Sequence, residues 1–190
     1  MHLNYPQLAI YLWIVLAAVW LIGLAGIKPT VRIQSLSSRL LHIALGCLGF
    51  GLLYKDYFHR GWLALRFVPR SDAVSLAGLL LMFAGVLFAS WARLVLGGNW
   101  SSTVTLKQDH TLIRRGPYSI VRHPIYTGFL TAVLGDALIL GGVRGLVALA
   151  VLFLTWRIKS TLEERMMYER FGAEYIEYRN RVKGLVPFVY

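Results

Sequence analysis

Two stretches of this chain, Leu8 to Ile27 and Ala73 to Ala92, contain no charged residue. Each has the ~20 apolar residues that an α-helix needs to cross a bilayer core of about 30 Å. In hydrocarbon the backbone must satisfy its own N–H and C=O groups, and a helix does this within one segment. The rest of the composition agrees: 57% of residues are hydrophobic and only 15% charged, where a soluble domain carries about 25% charged residues. A nucleic-acid binder of this basicity would be poorer in apolar residues. The chain therefore reads as an all-α integral membrane protein.

Three shorter runs complete the pattern. Leu40 to Tyr54 is bracketed by Arg39 and Lys55, whose stems can snorkel. Pro124 to Gly142 and Gly145 to Trp156 flank the sequence GGVRG, which suits a tight turn between antiparallel helices. The expectation is about five transmembrane helices, the last two a hairpin, the fifth running on past Trp156, and a C-terminal helix beyond the membrane. Residues 1–96 would supply three helices and 97–190 the chemistry. The first run exceeds the 7–15 residues of a signal-peptide core and only His2 precedes it as a basic group, so it reads as a retained helix.

The 20 Lys and Arg against 9 Asp and Glu give a net charge of +11. The connectors on one side hold Lys28, Arg32 and Arg39, then Arg93, Lys107, Arg114, Arg115 and Arg122, then seven basic residues after Trp156. The other side holds Lys55, Arg60, Arg66, Arg70 and Arg144. By the positive-inside rule the N-terminus lies outside and the C-terminus in the cytoplasm, at the inner membrane if the cell is prokaryotic. The surplus charge then faces anionic lipid rather than nucleic acid.

Chemistry concentrates where two polar blocks meet the membrane. From Asp109 to Gly128 the chain reads DHTLIRRGPYSIVRHPIYTG. Pro117 and Pro124 interrupt helix, and Pro124 suits the first turn of the fourth span. Arg122 and His123 would stand at that helix start, where free amides and the positive dipole end favour an anion. An interfacial anchor with an aromatic belt would account for one or two basic residues and for Tyr118 and Tyr126, not for this ordered set. The second block opens with Glu163 and Glu164, about 100° apart on a helix, so that one can face a pocket and the other a basic loop. Glu164, Tyr168, Phe171, Tyr175 and Tyr178 fall on one helical face, read as packing. No paired-cysteine or HExxH spacing occurs, and no metal is expected. Asp136, within the fourth span, reads as structural and satisfied by Arg144 or water. His42 and Cys47 read as core residues.

The string HTLIRRGPYSIVRHPIYTG, a hydrophobic hairpin, EE, and FGAEYIEYRNRV together resemble the isoprenylcysteine carboxyl methyltransferase family and its relatives among membrane phospholipid and thiol methyltransferases. The resemblance covers about the C-terminal half. It implies methyl transfer from S-adenosylmethionine by an all-helical membrane enzyme. It further implies a cofactor pocket of His110, Thr111, Leu112 and Ile113, then Tyr118, then His123, Pro124, Ile125 and Tyr126, and finally Glu163. Four residues before Glu163 the prenylcysteine enzymes carry an arginine that contacts substrate; here it is Lys159, cationic but without a planar fork for a carboxylate.

The acceptor implied is lipid-like or a small hydrophobic molecule, including the carboxylate of an isoprenylated cysteine. Phospholipid N-methylation and thiol S-methylation are the alternatives. Arg122 is expected to orient an anion, and Glu164 or His123 to deprotonate an amine acceptor; a carboxylate or thiolate needs no strong base. Two other classes compete: an NADPH-dependent sterol-reductase-like enzyme, which shares a related RHP region, and a non-enzymatic protein whose basic blocks bind membrane lipids.

Overall fold

The structure is a computed structural model that describes residues 4–100, 105–107 and 111–187. Six α-helices occur among the described residues: α1 (Tyr5–Ile22), α2 (Leu36–Tyr54), α3 (Asp72–Leu96), α4 (Pro124–Leu140), α5 (Val143–Phe171) and α6 (Ala173–Arg181). Their starts are written in the chain. Asn4, Ser35 and Ser71 each accept from the backbone N–H three residues on, and Pro124 opens α4 where a missing N–H costs nothing. Four of these helices are long and apolar enough to span a bilayer, and α4, at 17 residues, reaches the lower limit. Large side chains such as Ile14, Leu41, Leu80 and Leu94 are exposed on the outside of the bundle. An apolar exterior is what a lipid solvent selects, and the protein is a multi-pass membrane protein.

α3 and α4 form the tightest contact of the bundle. Gly78 and Gly85 of α3 face Gly135 and Gly128 of α4 so closely that no side chain fits between them. A Cβ on Gly85 would stand 2.5 Å from the Gly128 carbonyl oxygen, and one on Gly128 would stand 2.6 Å from that of Gly85. Small residues let membrane helices approach until backbone packs on backbone, which replaces the hydrophobic drive that lipid removes. The α4–α5 hairpin turns at Gly141, whose φ of 69° lies in the left-handed region. The expected extension of the fifth helix past Trp156 is present and ends at Gly172, φ 50°. That break alters one expectation: Tyr168 stays exposed on α5, whereas Tyr175 and Tyr178 are buried from α6. A single aromatic face does not run through both.

Two further features depart from the sequence reading, besides Cys47, which is read as a core residue and lies exposed on α2. Thr30–Ile33 (β1) and Thr105–Lys107 (β2) pair as a short antiparallel ladder, although no strand was expected. Asp136, 1% exposed, accepts from Trp13 Nε1 of α1 at 3.1 Å and from the hydroxyl of Tyr54 of α2. It joins three helices, while Arg144 donates instead to the Lys55 carbonyl at 3.3 Å.

Candidate functional site

At the opposite end of the bundle from Gly141, the connector before α4 folds over the start of that helix. Gly116–Ser119 makes a 3₁₀ turn that buries Pro117 and Tyr118. The C-terminal segment then crosses it: Arg122 N–H donates to the Lys183 carbonyl at 2.8 Å, His123 N–H to Gly184 at 3.1 Å and Thr127 Oγ1 to Leu185 at 2.6 Å. Tyr178 O–H donates to the Tyr118 carbonyl at 2.6 Å. The backbone N–H groups of the two residues before α4 are thus satisfied by the segment that follows α6.

This fold brings the two polar blocks together. His123 lies between both acids, Nε2 at 3.1 Å from Glu164 Oε1 and Nδ1 at 3.4 Å from Glu163 Oε2. Glu163 also accepts from the Tyr126 hydroxyl. Glu164 Oε1 accepts from Arg122 Nε at 3.0 Å and Nη2 at 2.6 Å, and Arg179 Nε stands 3.7 Å from Oε2. Arg122 Nη1 donates to the carbonyls of Arg179 and Val182. Its fork is occupied by the protein. Burial disfavours the protonated form of His123, but hydrogen bonds and attraction from Glu163 and Glu164 outweigh it and raise its pKa above the ordinary histidine value. Burial pushes the Tyr118, Tyr175 and Tyr178 phenols up, so each stays a neutral donor.

Beside this network is a cavity of about 420 Å³. Of the residues singled out in the sequence, Thr111, Leu112, Ile113, Tyr118, Arg122, His123, Pro124, Ile125, Tyr126, Lys159 and Glu163 all line it, as do Tyr175 and Tyr178, whose face reads as packing in the sequence. Lys159 Nζ sits 5.5 Å from the Tyr126 ring centroid. Glu164 does not line the cavity; it holds Arg122 and His123 from behind. His110 lies outside the described residues. Among the described residues, no group of three His, Cys, Asp or Glu could hold a metal.

The sequence reading missed a second set. Trp20 of α1, Asn99 and Trp100 after α3, Phe129 of α4, and Trp156 and Met167 of α5 also line the cavity. Trp100 follows a Gly-Gly-Asn turn, with eight residues between it and the motif block, a signal that was available. Nothing in the first span marks Trp20. Asn99 Nδ2 donates to Thr111 Oγ1 at 3.1 Å, and its buried Oδ1 has no partner among the described residues.

A model of the phospholipid methyltransferase family matches residues 74–174, more than half of the chain. The chain belongs to this family. It is 37% identical over 117 residues to the protein-S-isoprenylcysteine O-methyltransferase of Saccharomyces cerevisiae, covering 59% of this chain and 48% of that protein. It is 31% identical over 121 residues to protein-S-isoprenylcysteine O-methyltransferase B of Arabidopsis thaliana, covering 61% and 60%. The chain thus spans about half to three fifths of the length of these relatives. The structure of the eukaryotic intramembrane Ras methyltransferase, an isoprenylcysteine carboxyl methyltransferase, superposes with a TM-score of 0.53 at 24% identity. That match covers 83% of this chain and 55% of the other, and shows a shared fold. The family segment runs from α3 to α6 and contains every described residue of the expected pocket.

Proposed function

We propose that this protein is an integral-membrane methyltransferase that takes a methyl group from S-adenosylmethionine and passes it to a lipid-like acceptor, foremost the carboxylate of an isoprenylated cysteine. The observation that carries the reading is the convergence of Thr111–Ile113, Tyr118, His123–Tyr126 and Glu163 on one cavity at the start of α4. The family membership and the relatives' names support it.

The cavity's chemistry fits this cofactor. Leu112, Ile113 and Ile125 offer apolar walls for a heteroaromatic base, and Asn99 Oδ1, without a partner among the described residues, is an acceptor beside them. Glu163 can accept from hydroxyl or ammonium groups, while His123 and Lys159 answer a carboxylate. His110 is retained in the proposed set from the motif alone. When bound, S-adenosylmethionine supplies an electrophilic methyl group. The protein's own task is positioning and exclusion of water, and positioning is worth about 7–11 kcal/mol in favourable cases.

Lys159, a compact cation on the cavity wall, is the proposed contact for an anionic acceptor. A carboxylate or thiolate needs no proton removed. Arg122 and Glu164 act as positioning residues: their mutual bonds and those to His123 fix the ring against Glu163. Residues 97–190 carry the reacting groups, and 1–96 add Trp20 to the wall. The basic bias supports a cytoplasmic position for this end, at the inner membrane in a prokaryote.

Three measurements test this reading. Glu163→Ala and His123→Ala should each weaken S-adenosylhomocysteine binding by calorimetry, and unchanged affinity in both sinks the pocket. Labelled cofactor added to membranes should yield a base-labile volatile ester for a carboxylate acceptor, and a stable lipid product for N-methylation. Thermal stabilisation by NADPH alone, without response to the methyl donor, would overturn the reading.

A further inference from the structure

One wall of the cavity is an unbroken row of rings. Trp100 meets Trp20 at 6.3 Å between centroids, Trp20 meets Phe129 at 5.4 Å, Phe129 meets Trp156 at 5.3 Å, Trp156 meets Tyr126 at 6.2 Å and Tyr126 meets His123 at 5.7 Å. Every member lines the cavity. They come from α1, the turn after α3, α4 and α5, so no single stretch of sequence contains the row.

Ring faces in this wall already receive cations. The Arg93 guanidinium stands 4.6 Å from the Trp100 centroid and the Lys159 ammonium 5.5 Å from that of Tyr126. The polar end of the cavity sets Arg122, His123 and Lys159 against Glu163, whose carboxylate is engaged by Tyr126 and His123. A ligand that carries both charges places its anion there, and its positive centre is driven from the same cations toward the rings. A sulfonium or a fully methylated ammonium has no N–H to donate. It is weakly hydrated and is held well by aromatic faces in a site without water.

We infer that the middle of this wall, Trp20, Phe129 and Trp156, seats a methylated onium group of the bound molecule. The inference rests on the methyl-transfer reading above. The onium is either the sulfonium of the methyl donor or the methylated ammonium of a lipid headgroup. In the first case the wall favours the charged donor over the neutral thioether left after transfer.

Calorimetry on the full chain in nanodiscs, without acceptor, separates these. One pair of ligands is S-adenosylmethionine and S-adenosylhomocysteine; the other is phosphocholine and the isostere with carbon in place of the ammonium nitrogen. The wild type should prefer the charged member of at least one pair. Trp156→Leu and Phe129→Leu should each cut that preference by about five- to thirtyfold, with Trp156→Phe keeping most of it. Loss within the first pair identifies the sulfonium, and loss within the second the ammonium. No preference in either pair for the wild type overturns the seat whether or not the variants fold, as does a preference both leucine variants retain in full. Failure to bind either nucleoside ligand defeats the methyl-transfer reading itself, and the seat with it.

Discussion

Arg122 and Glu164 lie 42 residues apart in the chain and are joined by two N–H donations from one guanidinium to one carboxylate oxygen, at 3.0 and 2.6 Å. With side chains 11% and 16% exposed, the pair is largely withdrawn from solvent. The same oxygen receives His123. Removing the acid therefore strands a guanidinium among carbonyls. Glu164→Ala is expected to cost about 3 kcal/mol in unfolding free energy, with Arg122→Met in the same background restoring part of it. Denaturant unfolding in detergent measures both, and a single-variant loss below about 0.5 kcal/mol would mean that the pair is no brace.

His123 sets a pH dependence whose sign follows from its raised pKa. The folded state binds the proton more tightly than the unfolded one, whose value is near ~6.5. The stabilisation is thus complete below that pH and is lost as pH rises through the folded-state pKa. Melting temperatures of wild type and His123→Gln, taken from pH 5.5 to 9, should converge at the alkaline end. A gap that widens with rising pH contradicts the imidazolium between Glu163 and Glu164.

The backbone contact between α3 and α4 leaves no room for a side chain. Gly128→Val must push α4 from Gly85 and Ala89, and Gly85→Val must push α3 from Gly128 and Ala132. Each should cost more than about 3 kcal/mol, well beyond the 1–3 kcal/mol of ordinary overpacking, because rigid backbone has to move. Gly46→Ala on α2, where an added Cβ meets nothing within 4 Å, is the control and should cost nothing, since Ala is favoured over Gly by about 0.5–1 kcal/mol inside a helix. Thermal stability in a fixed detergent checks the three.

Asp136 joins Trp13, Tyr54 and α4 and does not line the cavity. Asp136→Ala leaves an indole N–H and a phenol without their acceptor and should destabilise by about 1–3 kcal/mol. Affinity of the remaining folded protein for S-adenosylhomocysteine should not change. A variant that folds normally and yet loses turnover would assign Asp136 to the chemistry.

What was legible in the sequence was whatever depends on neighbours along the chain. Uncharged runs announced helices in lipid, Pro124 marked the start of α4, and the Gly141 turn marked the hairpin. The order from Thr111 to Tyr126, with Glu163 beyond, named most of the cavity's polar lining. The β1–β2 ladder was not legible, because strands of four and three residues carry no periodic signal and pair across two helices. The roles of the two adjacent acids were only half legible: helical geometry separates them by about 100°, but which one meets the cavity depends on where Arg122 and Arg179 arrive.

The sequence by itself determined the solvent, the helices and the chemical groups available, since these follow from local composition and spacing. Only the tertiary structure decided the aromatic wall. In a membrane helix a tryptophan facing lipid and one facing a cavity look alike in sequence, because both surroundings are apolar. Trp20 and Trp156 became neighbours of Phe129 because α1 and α5 pack on α4. Asp136 found Trp13 and Tyr54 for the same reason: a buried carboxylate takes the donors that packing brings within reach.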